Sequence, residues 1–152
     1  MIIAHEKDML VFAARIANVV VNGTIIFLQG PLGAGKTTFA RGFLQGLGCQ
    51  EKVKSPTYTL VESYDISGKK FFHFDLYRLN RAEELYDIGI EEYFSNETIC
   101  LIEWPEKGFP ILPPADLLIN IAIKAQVREI NIQAGTLKGE GMINTLISKK
   151  LC

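Results

Sequence analysis

The apolar residues among the first twenty positions recur at the three- and four-residue spacing of a helix that buries one face. They are Met9, Leu10, Phe12, Ala13, Ile16, Ala17 and Val20. A turn at Asn22-Gly23 follows, and the apolar residues 24–28 predict a buried strand. A second helix is predicted over residues 38–44. It should end at residues 46–48, where Gly48 suits the position after a helix.

The middle of the chain alternates between polar loops and short apolar runs. Residues 51–57 are polar and contain a proline, so they predict a loop. Residues 58–64 and 71–76 predict two strands, which the short connection makes an antiparallel hairpin. Asn80, with Glu83 three residues later, predicts the start of a helix that continues to about Ile88.

The last third contributes the remaining strands. The almost wholly apolar residues 98–102 are typical of a strand covered on both faces. After a proline-rich loop, two more strands are predicted at 117–124 and 127–133. A final helix is predicted from the spacing of Met142, Ile143, Leu146, Ile147 and Leu151. These elements predict a three-layer α/β domain whose mixed sheet has parallel central strands and antiparallel hairpins, with ligands bound at the strand ends.

Composition narrows the class of protein. At 152 residues and 48% hydrophobic content, the chain is expected to form one domain over residues 1–152. The formal net charge of -1 gives no overall positive field that would attract nucleic acid. Three scattered cysteines, Cys49, Cys100 and Cys152, favour reduced thiols over a metal site or disulfides. With no apolar run near the roughly 20 residues of a membrane span and no signal-peptide layout, we expect a cytoplasmic protein.

The turn between the first predicted strand and the second helix carries recognisable chemistry. Residues 30–37, G-P-L-G-A-G-K-T, fit the phosphate-binding loop pattern G-x-x-x-x-G-K-[ST]. Its glycines let the backbone approach a phosphate, and the N–H groups of the loop and helix start form an anion nest. Lys36 is expected to reach the β- and γ-phosphates, and the Thr37 hydroxyl to bind Mg²⁺. An ordinary glycine-rich turn explains neither residue, so the sequence predicts a nucleoside triphosphate site.

Phosphoryl transfer also needs a carboxylate that holds Mg²⁺. Asp75 and Glu103 each follow an apolar strand, and either alone is compatible with a solvated strand end. Beside a phosphate loop the pair favours catalytic roles, and which of the two contacts the metal stays open. His73 is the kind of lone histidine that usually packs in a core. Trp104 suits two roles equally, filling the core or packing beside an active site or partner.

The sequence separates several classes of nucleotide-binding protein. A Ras-like GTPase would carry an N-K-x-D motif, which this chain lacks. A small-molecule kinase would usually need an arginine-bearing lid and an acceptor pocket, for which the chain is short. The class that fits best is a small ATPase whose turnover serves another protein. A stand-alone small-molecule P-loop kinase and a nucleotide-binding regulator without turnover remain the alternatives.

Five sequence blocks together resemble the bacterial TsaE family, the ATPase of tRNA threonylcarbamoyladenosine biosynthesis. The blocks are G-P-L-G-A-G-K-T-T at 30–38, V-K-S-P-T-Y at 53–58, F-D-L-Y-R-L at 74–79, E-L at 84–85 with Gly89, and I-E-W-P at 102–105. Only the first block is widespread among nucleotide-binding proteins. The S-P-T-Y, D-L-Y-R and E-W-P blocks, in this order and spacing, are specific to the family.

The resemblance implies a set of site residues. ATP would lie along Gly33, Ala34, Gly35, Lys36, Thr37 and Thr38, with Mg²⁺ held by Thr37 and Glu103. Residues 55–57 would form a switch-like loop near the γ-phosphate, and Asp75 would be important for hydrolysis. Whether Asp75, Thr57 or another group positions the attacking water stays open. Trp104 matches a characteristic tryptophan beside the active site. Met9 departs from the family, many of whose members have a threonine near the nucleotide base.

The resemblance also implies a partner and a process. Family members act with a heterodimer of TsaB and TsaD, which transfers a threonylcarbamoyl group to adenosine 37 of tRNAs that read codons beginning with A. Their ATPase is weak in isolation, and the ATP cycle is thought to reset the partner between turnovers. The protein would therefore contact tRNA only through that complex, and neither DNA nor a membrane.

Overall fold

A computed structural model describes residues 1–149 of the chain. Its strands are, in chain order, β1 (Ile2–Ile3), β2 (Ile25–Gln29), β3 (Val61–Ile66), β4 (Lys69–Asp75), β5 (Thr98–Glu103), β6 (Leu117–Lys124) and β7 (Val127–Ala134). Its α-helices are α1 (Glu6–Ala17), α2 (Lys36–Gly46), α3 (Glu84–Asp87) and α4 (Leu137–Ser148). Two 3₁₀ turns lie at Ile90–Tyr93 and Pro105–Gly108. Within residues 1–149, no helix has the length and apolar character needed to cross a bilayer.

The strands form one mixed sheet in the order β1-β7-β6-β2-β5-β4-β3. The four central strands β6, β2, β5 and β4 run parallel to one another. At one side β7 and β1 add antiparallel strands, and at the other β3 pairs antiparallel with β4. The predicted α/β class, with parallel central strands and antiparallel hairpins, is therefore confirmed.

Three helices cover one face of the sheet. The alternate residues Ile26 and Leu28 of β2 point to this face and pack with Phe39 and Phe43 of α2. Helices α1 and α4 join the same cluster through their apolar faces. Helix α2 lies very close to α1, since a Cβ on its Gly42 would stand 2.6 Å from the carbonyl oxygen of Leu10. This face is the thick, helical side of the core.

The opposite face has a thinner cover. Phe27 of β2, Phe74 of β4 and Ile102 of β5 belong to this second cluster. Over them lie Leu85 of the short α3, the first 3₁₀ turn and Leu112 of the proline-containing loop. The third layer is thus built from short helical turns and loops. Because both faces are covered, every residue of β5 is buried, as its apolar run predicts.

The predicted helix from Asn80 to Ile88 is wrong in extent. Only the single turn α3, Glu84–Asp87, is helical, and Asn80 does not cap it. Instead the Glu84 carboxylate reaches back and accepts hydrogen bonds from the backbone N–H groups of Asn80 at 2.8 Å and Arg81 at 3.0 Å. These bonds hold the preceding residues in a turn, and Gly89, with a φ of 67°, stops the helix soon afterwards.

One strand prediction also needs correction, and one strand was not predicted. The hairpin strand expected from Tyr58 begins only at Val61, because Leu60 donates its N–H to the Pro56 carbonyl at 2.9 Å and closes a turn. Strand β1 was not predicted, since its two residues are too few to show alternation. The predicted helical position Leu151 lies outside the described residues, whereas the rest of the final helix is confirmed.

Candidate functional site

The phosphate-loop segment joins the end of β2 to the first turn of α2. Gly33 and Gly35 have φ values of 80° and 107°, which belong to the left-handed region that favours glycine. Between them, the Ala34 N–H donates to the Pro31 carbonyl at 3.1 Å and closes a tight turn. Among the described residues no side chain caps α2, so the first N–H groups of this helix are free to meet an anion.

The loop opens onto a cleft of about 420 Å³. All the site residues predicted from the sequence line it, and these are Gly33, Ala34, Gly35, Lys36, Thr37, Thr38, Thr57, Asp75, Glu103 and Trp104. Leu32, Tyr77 and Arg78, to which the sequence assigned no role, complete the lining. The structure therefore brings together residues that come from four separate stretches of the chain.

The two acids meet because of strand register. Asp75 and Glu103 are the last residues of the parallel strands β4 and β5, and they are paired across the ladder. Strand β2 lies beside β5, so the loop that follows β2 emerges at the same edge of the sheet. Both acids are largely buried, with 8% of Asp75 and 4% of Glu103 exposed. This burial excludes the alternative that each acid is simply a solvated residue at the end of a strand.

Burial sets the electrostatics of the cleft. Desolvation raises the pKa of the Asp75 carboxyl. The hydrogen bond that it accepts from the Tyr77 N–H at 3.0 Å opposes this shift, and the neighbouring Glu103 reinforces it. Desolvation lowers the pKa of the Lys36 amine, although Glu103 and Asp75 both act in the opposite direction. Two close carboxylates with one buried amine form a site that a further cation would stabilise.

Lys36 is turned back onto its own loop. Its Nζ donates to the carbonyl oxygens of Gly30 and Pro31, the second at 3.1 Å. The same Nζ lies 4.2 Å from the centroid of the Trp104 ring, within the range of a cation–π contact. Trp104 also packs against Tyr77, with ring centroids 5.0 Å apart. Of the two roles that the sequence left open for Trp104, the geometry favours the one beside the site.

His73 lies in the core, as the sequence predicts, but it has a specific partner. It is only 1% exposed, and its Nε2 lies 2.6 Å from Oε2 of Glu103. Its other ring nitrogen, Nδ1, is buried and has no hydrogen-bond partner within residues 1–149. One sequence signal points to the contact between His73 and Glu103. His73 lies two residues before Asp75, so both side chains are on one face of β4, and Glu103 is the residue paired with Asp75 on the next strand.

Arg128 is a loop-supporting residue that the sequence analysis did not identify. From β7 its Nε donates to the Ala34 carbonyl at 3.1 Å, and its Nη2 donates to the Gly33 carbonyl at 3.2 Å. The contact joins positions 94 residues apart, so no local motif could reveal it. In a trans peptide the N–H points away from the C=O, so the bond to Ala34 orients the following Gly35 N–H away from Arg128.

A second cavity, of about 300 Å³, lies against the same loop. Gly33, Ala34, Gly35 and Thr38 line both this cavity and the cleft. The remaining wall comes from the start of the chain and from the β6–β7 turn region, namely Ile3, Ala4, His5, Glu6, Met9, Gln126 and Arg128. Met9 is close to the loop, since its Cε would stand 3.4 Å from a Cβ on Gly35.

The cleft is suited to a hard cation. The oxygen atoms available are the Thr37 hydroxyl and the carboxylates of Asp75 and Glu103, which are the ligand types that Mg²⁺ prefers. Across the described residues there is no cluster of three or more Asp, Glu, His or Cys side chains that could cage a metal alone. The donor set therefore fits a cation that also takes oxygen ligands from a bound phosphate, as Mg²⁺ usually does.

Comparisons with known proteins find relatives over most of the chain. Residues 3–130 match the family model described as Threonylcarbamoyl adenosine biosynthesis protein TsaE. The chain is 50% identical over 147 residues to the tRNA threonylcarbamoyladenosine biosynthesis protein TsaE of Haemophilus influenzae, covering 93% of each chain. It is 40% identical over 111 residues to the protein of the same name from Treponema pallidum, covering 72% of this chain and 82% of that one. The crystal structure of YdiB from Bacillus subtilis superposes with a TM-score of 0.85 at 29% identity, over 99% of this chain and 94% of YdiB.

Proposed function

This chain belongs to the TsaE family, and on that premise we propose that it is a Mg²⁺-dependent ATPase of tRNA threonylcarbamoyladenosine biosynthesis. In this proposal it acts in the cytoplasm on a TsaB–TsaD heterodimer and supports that complex while it modifies adenosine 37 of tRNAs reading codons that begin with A. The observation that carries the ATPase assignment is the shared cleft, in which a phosphate loop faces the paired acids Asp75 and Glu103.

Each site residue that was predicted from the sequence has a role in this proposal. The N–H groups from Gly33 to Thr38 bind the phosphates, and Lys36 exchanges its contacts with loop carbonyls for contacts with phosphate oxygens. Thr37 and Glu103 hold Mg²⁺, which when bound neutralises charge that develops on the phosphates. The Asp75 carboxylate, the Thr57 hydroxyl or another group orients the water, and the first two line the cleft. Trp104 walls the site beside Lys36.

The second cavity is the proposed place for the nucleoside. It shares the loop residues with the cleft, so a nucleotide can lie across the loop with its phosphates on one side and its base on the other. Met9 supplies an apolar contact there in place of the threonine that many family members carry. This geometry supports binding of the base through packing more than through a side-chain hydroxyl at that position.

The surroundings of the cleft favour a protein partner. Tyr58 in the loop before β3 is 83% exposed, and Leu32 in the phosphate loop is 65% exposed. Exposed apolar side chains beside a catalytic cleft are suited to burial under a second protein. With a net charge of -1, direct binding of tRNA is disfavoured, which supports the proposal that the partner binds the tRNA.

ATP hydrolysis by the purified protein, alone and with the TsaB–TsaD heterodimer, tests this proposal. We expect a weak rate alone, a higher rate with the heterodimer, and co-migration of the three proteins in the presence of ATP. The matched control is the heterodimer with the Lys36→Ala variant, which should show neither the basal nor the stimulated rate. Phosphorylation of a small-molecule acceptor in place of hydrolysis would instead identify a kinase. If no nucleotide is turned over under any condition, the protein would instead be a nucleotide-binding regulator.

A further inference from the structure

We propose that His73 is a positioning residue for Glu103, which it holds by one carboxylate oxygen so that the other is presented to the cation of the nucleotide site. This inference rests on the proposed function, because it assigns Glu103 to Mg²⁺. The observation behind it is the buried contact of 2.6 Å between Nε2 of His73 and Oε2 of Glu103.

Packing alone does not account for a histidine at this position. Its neighbours along β4 are Phe71, Phe72 and Phe74, so aromatic rings occupy the positions on both sides of it. A phenylalanine at position 73 would bury a similar ring without burying two polar nitrogens, which is costly unless they are hydrogen-bonded. What distinguishes His73 from these neighbours is a donor that reaches Glu103 on the adjacent strand.

The environment of the ring selects its tautomer. Nδ1 is buried without a hydrogen-bond partner in the described part of the chain. A proton on Nδ1 would leave a buried donor unsatisfied, and Nε2 would then present a lone pair to the carboxylate. The favourable neutral form carries its proton on Nε2 and donates it to Oε2 of Glu103. In this form the hydrogen bond stabilises the ionised carboxylate.

A fixed carboxylate is useful at this edge of the sheet. The terminal torsion of a glutamate is broad, so a free Glu103 would sample many orientations. The bond from His73 removes this freedom and uses one oxygen, while the other stays available to a cation. Residues that orient metal ligands in this way typically change metal affinity by about 10–100-fold when they are lost. Both side chains are at least nine-tenths buried, so water cannot easily replace the bond.

The test compares His73→Phe and His73→Gln with the wild type. A non-hydrolysable ATP analogue is titrated by calorimetry with Mg²⁺ and with a chelator. For His73→Phe we expect about a 10–100-fold loss of the affinity gained from Mg²⁺, with the affinity in chelator unchanged. The glutamine amide can place an N–H where Nε2 lies, so His73→Gln should recover part of the Mg²⁺ dependence.

Two results would overturn the proposal. One is a His73→Phe variant that keeps the full Mg²⁺ dependence. The other is an equal loss with and without Mg²⁺ in both variants, which would indicate a structural role only. If His73→Phe does not fold, ring ¹⁵N shifts of the wild type decide, since a proton on Nδ1 contradicts the proposed bond and a proton on Nε2 supports it. A wild-type protein that binds no analogue would instead refute the ATPase assignment.

Discussion

Arg128 and Ala34 are 94 positions apart in the chain, yet the Arg128 Nε donates a 3.1 Å hydrogen bond to the Ala34 carbonyl. A second bond from the same guanidinium reaches Gly33, so an edge region of the sheet supports the phosphate loop from outside its motif. The shape of the anion nest therefore depends on β7 as well as on the glycines of the loop.

Replacing Arg128 should weaken nucleotide binding. Arg128→Met removes the two charge-assisted hydrogen bonds that hold the carbonyls of Gly33 and Ala34. Such bonds typically stabilise a folded arrangement by about 1.5–3 kcal/mol each, so the nucleotide would have to order the loop itself and ADP affinity should fall by roughly tenfold. Arg81→Met is the matched control, because the Arg81 side chain is 75% exposed and its one ion pair within residues 1–149 is with Glu83. Calorimetric titration with ADP measures both. Equal affinities for the two variants would show that β7 does not shape the loop.

Removing the loop lysine should abolish productive ATP binding while the fold stays intact. Lys36→Ala deletes the charge expected at the β- and γ-phosphates, but the backbone of the loop keeps its bonds from Arg128. Circular dichroism should match the wild type, and ATP hydrolysis should be absent. Normal hydrolysis by this variant would rule out the phosphate-loop assignment.

Glu103→Ala should separate metal-dependent from metal-independent binding. We expect Mg²⁺-dependent turnover to fall by more than the nucleotide affinity measured in chelator, because the lost carboxylate is a proposed metal ligand. The comparison of turnover with chelator-state affinity is made on the same preparation. If the two quantities fall equally, Glu103 does not bind the metal.

Asp75→Asn should stabilise the protein at neutral pH while lowering turnover. Burial raises the pKa of the Asp75 carboxyl above its ordinary value of 3.8, so the folded state binds this proton more tightly than the unfolded state does. The associated stability is present below pH 3.8 and is lost as the pH rises through the folded-state value. Asparagine is never ionised and can still accept the Tyr77 N–H.

Urea titrations at several pH values check this prediction. The midpoint of Asp75→Asn should exceed that of the wild type at pH 7, and the difference should shrink as the pH falls towards 3.8. A variant that is less stable than the wild type at pH 7 would show that the ionised carboxylate contributes favourable contacts which outweigh its burial.

The close approach of α1 and α2 should make Gly42 intolerant of a methyl group. In Gly42→Ala the new Cβ would stand 2.6 Å from the Leu10 carbonyl oxygen, and overpacking of this kind costs about 1–3 kcal/mol. Gly141 of α4 is the matched control, because a Cβ there meets no atom within 4 Å. Gly141→Ala should stabilise by about 0.5–1 kcal/mol, since alanine favours a helix. Urea unfolding distinguishes these opposite signs.

The sequence predicted what depends on local pattern. The phosphate loop is readable because its glycines, Lys36 and Thr37 are contiguous, and the parallel sheet follows from buried apolar runs such as β5. The pairing of Asp75 with Glu103 could be expected because each acid follows a predicted apolar strand, and the strand register does place the two residues side by side. Their catalytic roles stay predictions.

Other features depend on contacts between distant positions. The helix predicted from Asn80 is shorter than expected: the Glu84 carboxylate accepts the N–H groups of Asn80 and Arg81, which lie in the turn before α3. Glu103, the partner of His73, lies on a different strand, 30 residues away. The local sequence therefore predicted only that His73 is buried in the core, and not what it contacts. Arg128 could be recognised only after the pairing of the strands was known. Such contacts are fixed by topology, which a linear pattern does not contain.

The central position of β2 has a consequence for synthesis of the chain. Although β2 is made early, its two neighbours are β5 and β6, which leave the ribosome much later. The phosphate loop that follows β2 therefore has no neighbouring strand until β5 has emerged, and its support from β6 and from Arg128 of β7 comes later still. On the proposed function, ATP should therefore stabilise a nascent chain only after β5 has emerged, and should bind at full strength only once β7 has brought Arg128 to the loop.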